Sequence, residues 1–166
     1  MADLPICHDG QTVYAGDVLQ VLPQLPADHF HCVVTSPPYW KLRSYLPADD
    51  PLKAYEIGSE ATPEAYIETI VAVFREVRRV MHPTGLLFLN LGDSYGNSGG
   101  PGNQGASGQR ANRTHTQVSL RQGRGPDPAA GQLLNMPHRV AEALRADGWH
   151  WRQTIVWRKL SPMPES

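Results

Sequence analysis

An excess of charge of one sign is missing from this chain. Fifteen Lys and Arg stand against sixteen Asp and Glu, a formal net charge of -1 over 166 residues. That balance excludes a global basic field for nucleic acid, though not a local basic groove. Cysteine is nearly absent. Cys7 and Cys32 lie far apart and form no CxxC, so neither a disulfide framework nor a zinc site is indicated. His29 and His31 flank a strand start with no third ligand at metal spacing, and no metal is expected. No apolar run approaches the roughly 18 residues of a membrane span, and the N-terminus lacks a signal-peptide core. The expectation is a reduced, cytoplasmic protein with no membrane contact. The length suits one domain with a core of its own.

What is present is an alternation of strand and helix patterns. TVYA at 12–15 is a short strand candidate, and Gly16-Asp17 stops it. Residues 18–25 (VLQVLPQL) suit a brief helix that Pro23 must end or distort. Residues 30–35 read as a strand without clean alternation, as expected of a parallel strand covered on both faces. Thr62-Pro63-Glu64 opens a helix with a capping hydroxyl, a first-turn proline and an acidic residue. Tyr66, Ile67, Ile70, Val71, Phe74, Val77 and Met81 follow at helical spacing. His82-Pro83-Thr84-Gly85 breaks that pattern, and 86–91 (LLFLNL) reads as a second buried strand.

Residues 96–131 are rich in Gly, Ser, Asn and Gln, carry Arg110, Arg113, Arg121 and Arg124, and hold almost no large apolar residue. Such a segment cannot bury enough surface to fold alone and is expected to be a flexible loop. A further helix is expected from Asn135-Met136-Pro137 to about Asp147, with Val140, Ala143 and Leu144 inward and Gly148 as the stop. Residues 149–157 (WHWRQTIVW) are expected to form a fourth strand. This grammar predicts an α/β fold with a parallel sheet, whose reactive groups sit beyond the carboxyl ends of strands.

One such end carries Thr35-Ser36-Pro37-Pro38-Tyr39-Trp40. Each proline fixes its own φ and biases the preceding residue towards an extended conformation. Ser36 and Pro37 are therefore stiff, and their carbonyls are claimed by no helix or ladder. A hydroxyl, a pre-aimed carbonyl and an aromatic ring suit a flat ring bearing an amino group. Such an amine is a poor nucleophile, because its lone pair is delocalised into the ring. Fixed acceptors favour the transition state, in which the nitrogen becomes tetrahedral and more positive.

Ser36-Pro37-Pro38-Tyr39 at a strand end resembles the catalytic motif of the amino-methylating DNA methyltransferases, the N4-cytosine and N6-adenine enzymes. The resemblance extends to Gly16-Asp17, to Leu89-Asn90-Leu91-Gly92-Asp93-Ser94-Tyr95, to Trp149–Lys159 and to Pro162–Ser166, in the order of the permuted class. It covers nearly the whole chain. It implies a Rossmann-like fold, double-stranded DNA as partner, S-adenosylmethionine as cofactor, and a target base flipped from the duplex. Serine at position 36 leans towards cytosine N4, with adenine N6 as the alternative.

The family's cofactor site also needs a strand followed by an FxGxG turn, which this sequence does not contain. The expectation is an incomplete fold, the catalytic half of an enzyme, with the glycine turn on a missing half or a second chain. A non-catalytic DNA-binding fragment is the competing expectation. By the resemblance, Ser36, Pro37, Pro38 and Tyr39 are catalytic, and Asp17, Ser36 and Pro37 approach the cofactor. Trp40, Asp93, Trp157 and Lys159 are candidates for the base pocket or DNA. Asp17 reads equally well as a helix cap and Asp93 as a turn residue, whereas Trp157 reads as core before it reads as a base-stacking ring.

Overall fold

The computed structural model describes residues 5–47, 49–96, 131–158 and 160. The expected glycine- and arginine-rich loop falls almost wholly outside these residues, as does Lys159.

The chain begins with a hairpin of β1 (Ile6–His8) and β2 (Gln11–Val13), antiparallel with Cys7 opposite Thr12. Its turn is Asp9-Gly10, and both residues take positive φ, 48° and 74°. An Asp-Gly pair at positive φ suits the tight turn whose twist matches two flanking strands. Helix α1 (Val18–Val21) is short, and a 3-10 turn at Leu22–Gln24 follows because Pro23 cannot continue an α-helical ladder.

The centre is a strand–helix–strand unit. β3 (Phe30–Thr35) and β4 (Met81–Leu89) are parallel neighbours, with Val33 opposite Leu87 and Thr35 opposite Leu89. Helix α2 (Pro63–Val80) connects them. Thr62 caps it by accepting from the Ala65 amide at 3.2 Å. Tyr66, Ile70, Val73, Phe74, Val77 and Val80 give it one buried face. Helix α3 (Met136–Ala146) lays Met136, Val140 and Leu144 on that same core.

Ion pairs bracket the α2–α3 contact: Arg139 meets Glu64 at one end, and Arg75 meets Asp147 at the other, both at 2.6 Å. Near the end of α2, Arg79 donates to the carbonyls of Leu22 (2.7 Å) and Leu25 (3.1 Å), fastening the 3-10 turn to the helix. Gly148 takes φ 101° just after α3, where the sequence anticipates the stop.

Three expectations need correction. Met81 to Gly85 do not separate helix from strand, because β4 starts at Met81 and absorbs the Pro83-Thr84-Gly85 stretch as a register shift against β3. Neither strand is covered on both faces. Val33, Leu87 and Leu89 pack against the helical core, whereas Val34, Leu86 and Phe88 are 76%, 56% and 47% exposed.

Residues 149–157 form no strand. Trp149 packs near Phe74, and its amide donates to the Leu144 carbonyl, but among the described residues no strand lies alongside residues 151–157 to take their ladder bonds. Ile155, Val156 and Trp157 are left largely exposed, so Trp157 is not a core residue. Among the described residues, no helix is long and apolar enough to cross a membrane.

Tyr66 carries the core to the strand ends. It is 1% exposed, and its hydroxyl donates to the Pro38 carbonyl at 2.9 Å. Burial, with smaller contributions from Glu60 and Tyr39, raises its pKa well above the ordinary phenol value. Its proton is thus retained as the donor throughout the neutral range.

Ile70, with 0% exposure, sits at the middle of α2. Ile70→Ala is expected to lower the unfolding free energy by about 2–5 kcal/mol in urea titrations followed by circular dichroism. Tyr66→Phe is expected to cost about 1 kcal/mol, since it leaves the Pro38 carbonyl without its donor. A Tyr66→Phe protein as stable as the parent would mean that this bond holds nothing together.

Candidate active site at the ends of two parallel strands

β3 and β4 end side by side, and the Asn90 amide donates to the Thr35 carbonyl at 2.9 Å just past the ladder. From there the two chains diverge. The first leads into Ser36-Pro37-Pro38-Tyr39 and the second into Leu91-Gly92-Asp93.

Tyr39 is where they meet again. Its hydroxyl lies 3.0 Å from Ser36 Oγ and accepts from Asn90 Nδ2 at 3.0 Å. Its ring lies directly on Gly92: a Cβ there would stand 2.7 Å from both Cδ2 and Cε2. Only glycine permits that approach. The ring is therefore fixed at its edge by packing and at its tip by two polar groups from different strands.

The carbonyls along the motif have distinct fates. Thr35 accepts from Asn90, Pro38 from Tyr66, and Tyr39 from the Leu42 amide at 3.3 Å. Those of Ser36 and Pro37 have no hydrogen-bond partner among the described residues. Two acceptors thus remain on the stiffest part of the motif, beside a hydroxyl and an aromatic ring.

Ser36, Pro37 and Tyr39 line an open cleft of about 190 Å³, whose other wall is Leu42, Arg43 and Tyr45. That wall is a built loop. Glu56 accepts from the Tyr45 and Leu46 amides and pairs with Lys53, which also donates to Ser44 Oγ and the Leu46 carbonyl. Lys53 chiefly, then the Tyr45 amide, holds the Glu56 carboxyl below its usual pKa.

The remaining sequence candidates lie as follows. Asp17 caps α1, one carboxylate oxygen accepting from the Leu19 amide at 2.9 Å, and the other has no partner among the described residues. Asp93 accepts from the Ser94 amide (2.8 Å) and the Met136 amide (2.9 Å), which ties the end of β4 to the start of α3. Trp40 packs against the core, and its Nε1 donates to the Glu60 carbonyl at 3.1 Å. Trp157, 80% exposed on the extended tail, has no contact with the cleft, and Lys159 is not among the described residues.

Sequence reasoning passed over Asn90 and Gly92 as individual residues, although both stand within the quoted stretch after β4. It also passed over Arg43 and Tyr45. Their signal was proximity in sequence: a charged and an aromatic residue four and six positions after Tyr39.

Comparison with known proteins gives the chain a family. The DNA methylase family matches residues 30–166. The chain is 39% identical to the type II methyltransferase M.XycI of Xanthomonas campestris pv. cyanopsidis and 37% identical to M.Cfr9I of Citrobacter freundii. Each alignment covers 98% of this chain and 51% of the relative. The type II methyltransferase M.SmaI of Serratia marcescens is 35% identical over 93% of this chain and 49% of its own length. No solved structure matches. The chain thus spans about half the length of these relatives, and its match runs from β3 through the cleft and α3. It belongs to the DNA methylase family.

Proposed function

We propose that this chain is the catalytic half of a site-specific DNA methyltransferase acting on the exocyclic amine of a base flipped out of double-stranded DNA, most simply cytosine N4. The fold it belongs to on this reading is a Rossmann-like sheet, of which β3 and β4 are two strands. The observation that carries the reading is the pair of unclaimed carbonyls on Ser36 and Pro37, beside the Ser36 hydroxyl and a Tyr39 ring fixed by Gly92 and Asn90.

A paired base hides its amine, so the target nucleotide leaves the stack before it reaches the cleft. The base lies on Tyr39, and its amino hydrogens donate to the Ser36 hydroxyl and the Pro37 carbonyl. These acceptors draw the nitrogen towards a tetrahedral geometry and free its lone pair. As the new N–C bond forms, they bear the growing positive charge, and the surplus proton passes through Ser36 to water.

S-adenosylmethionine, when bound, would supply an electrophilic methyl on a sulfonium, the thioether being the leaving group. The donor set fits it in part. Asp17 has one carboxylate oxygen without a partner among the described residues, which suits a hydroxyl of the cofactor, and the Ser36-Pro37 carbonyls suit the neighbourhood of a sulfonium. This is one grip rather than two. The chain alone is expected to give no measurable heat with S-adenosylmethionine, binding being recovered when a glycine-turn half is supplied in cis or as a second chain. Tight binding by residues 1–166 alone would place the cofactor elsewhere.

In the completed enzyme, Ser36→Ala is expected to lower kcat about 10²–10³-fold, by analogy with the loss of one pre-aimed oxyanion-hole donor. Gly92→Ala pushes on the Tyr39 ring without touching substrate and is expected to cost about 10²-fold through misplacement. Near-normal turnover in both would remove the site assignment. Nucleosides from modified DNA, weighed by mass spectrometry, identify the base: N4-methylcytosine is expected, and N6-methyladenine would overturn that choice.

A further inference from the structure

The arginines of α2 and α3 are all engaged. Arg75, Arg79, Arg139 and Arg145 sit in ion pairs, and Arg78 donates to the Asp147 carbonyl. Arg43 is different. It lines the cleft beside Ser36, Pro37 and Tyr39, and has neither ion pair nor hydrogen bond among the described residues.

Its backbone, by contrast, is held on both sides. The Lys41 amide donates to the Gly58 carbonyl at 2.8 Å, and Glu56 takes the Tyr45 and Leu46 amides. A segment fixed before and after residue 43 presents its side chain from a set point. The Lys53–Glu56 pair behind it neutralises itself, so the guanidinium is the unspent charge of this wall.

We propose that Arg43 binds a phosphate flanking the target nucleotide, so that the cleft takes a nucleotide rather than a bare base, with Tyr45 on the same wall beside the sugar. A guanidinium suits a phosphate because its planar fork donates two parallel hydrogen bonds. The two walls would then divide the work. Ser36, Pro37 and Tyr39 take the base and its amine, and Arg43 fixes how far the flipped nucleotide enters. With one phosphate held, a rotating base has few ways left to present its amine to the acceptors. The proposal rests on the reading of the cleft as the target-base site.

The test uses the full 166-residue chain, labelled with nitrogen-15, titrated with deoxycytidine and with its 5′- and 3′-monophosphates. The same series with deoxyadenosine runs alongside, so that the choice of base does not decide the result. Amide shifts around Ser36 and Tyr39 report the base end, and those of Arg43 to Tyr45 the phosphate end. One monophosphate is expected to reach its midpoint at about ten-fold lower concentration than the nucleoside, the usual effect of one charge-assisted hydrogen-bonded contact. Arg43→Ala is expected to abolish that preference, while Arg43→Lys retains part of it. Equal midpoints for nucleoside and both monophosphates in the parent chain would overturn the proposal, as would an undiminished preference in Arg43→Ala. Either result leaves the base site standing. Absence of any shift at Ser36 and Tyr39 with all six compounds would overturn the base site and this proposal together.

Discussion

The hydrogen bond from the Tyr66 hydroxyl to the Pro38 carbonyl joins two parts of the chain that otherwise have separate reasons to exist. On one side is the helical core, where Tyr66 is packed with Ile70, Phe74 and the facing residues of α3. On the other is a strand end with two consecutive prolines, which supply no amide donors of their own. Without a donor from outside, this stretch would be stiff but unanchored. A buried phenol whose proton is held firmly by desolvation is a suitable anchor, because it does not trade its role with water or pH. The orientation of Ser36 and Tyr39 relative to the sheet thus depends on the packing of α2.

The same unit explains which side of the sheet is finished. β3 and β4 turn Val33, Leu87 and Leu89 towards the helices, and leave Val34, Leu86 and Phe88 facing outward. Parallel strands are rarely stable with one apolar face in water, since their crossovers ordinarily place helices on both sides. An uncovered face of this kind fits a chain that spans about half the length of its relatives.

Much of this was legible from local chemistry. The β3 boundaries, the Thr62 cap, the inward face of α2 and the extent of α3 follow from apolar spacing and capping residues, which act over a few positions. The hairpin at Ile6–Val13 carried an equally local signal in Asp9-Gly10, which the reading from Thr12 onward passed over. The failures have another origin. A strand needs a partner, and residues 149–157 have strand composition but, among the described residues, no neighbour to complete a ladder. Likewise, apolar composition at Val34 and Phe88 reads as burial whether or not anything covers it.

At the candidate site the chemistry-bearing tetrapeptide was visible, but its supports were not. Asn90 and Gly92 act on Tyr39 from 51 and 53 positions away, a relation set by the parallel pairing of β3 and β4. Arg43 lines the cleft on a loop that the Lys41–Gly58 bond and the contacts of Glu56 and Lys53 hold. Their side chains are ordinary surface residues by composition, and their value lies in which amides and carbonyls they claim.

One last feature concerns the ends of the segment between Gly96 and Gly131. The Gly96 amide donates to the Gln132 carbonyl at 2.8 Å, the Gly131 amide to the Gly96 carbonyl at 2.9 Å, and Tyr95 bridges Leu133. The chain therefore departs and returns through one small clasp, and Leu134, just beyond it, donates to the Ser94 carbonyl. A clasp of this form isolates length from architecture. The closure entropy of whatever lies between grows only slowly with its length, by about 0.6 kcal/mol for each doubling. The end of β4 and the start of α3 are held to each other by the clasp itself and by Asp93, which accepts from the Met136 amide. The strand ends that carry Tyr39 and Gly92 therefore lie on the near side of a closure made by Ser94, Tyr95 and Gly96 with residues 131–134.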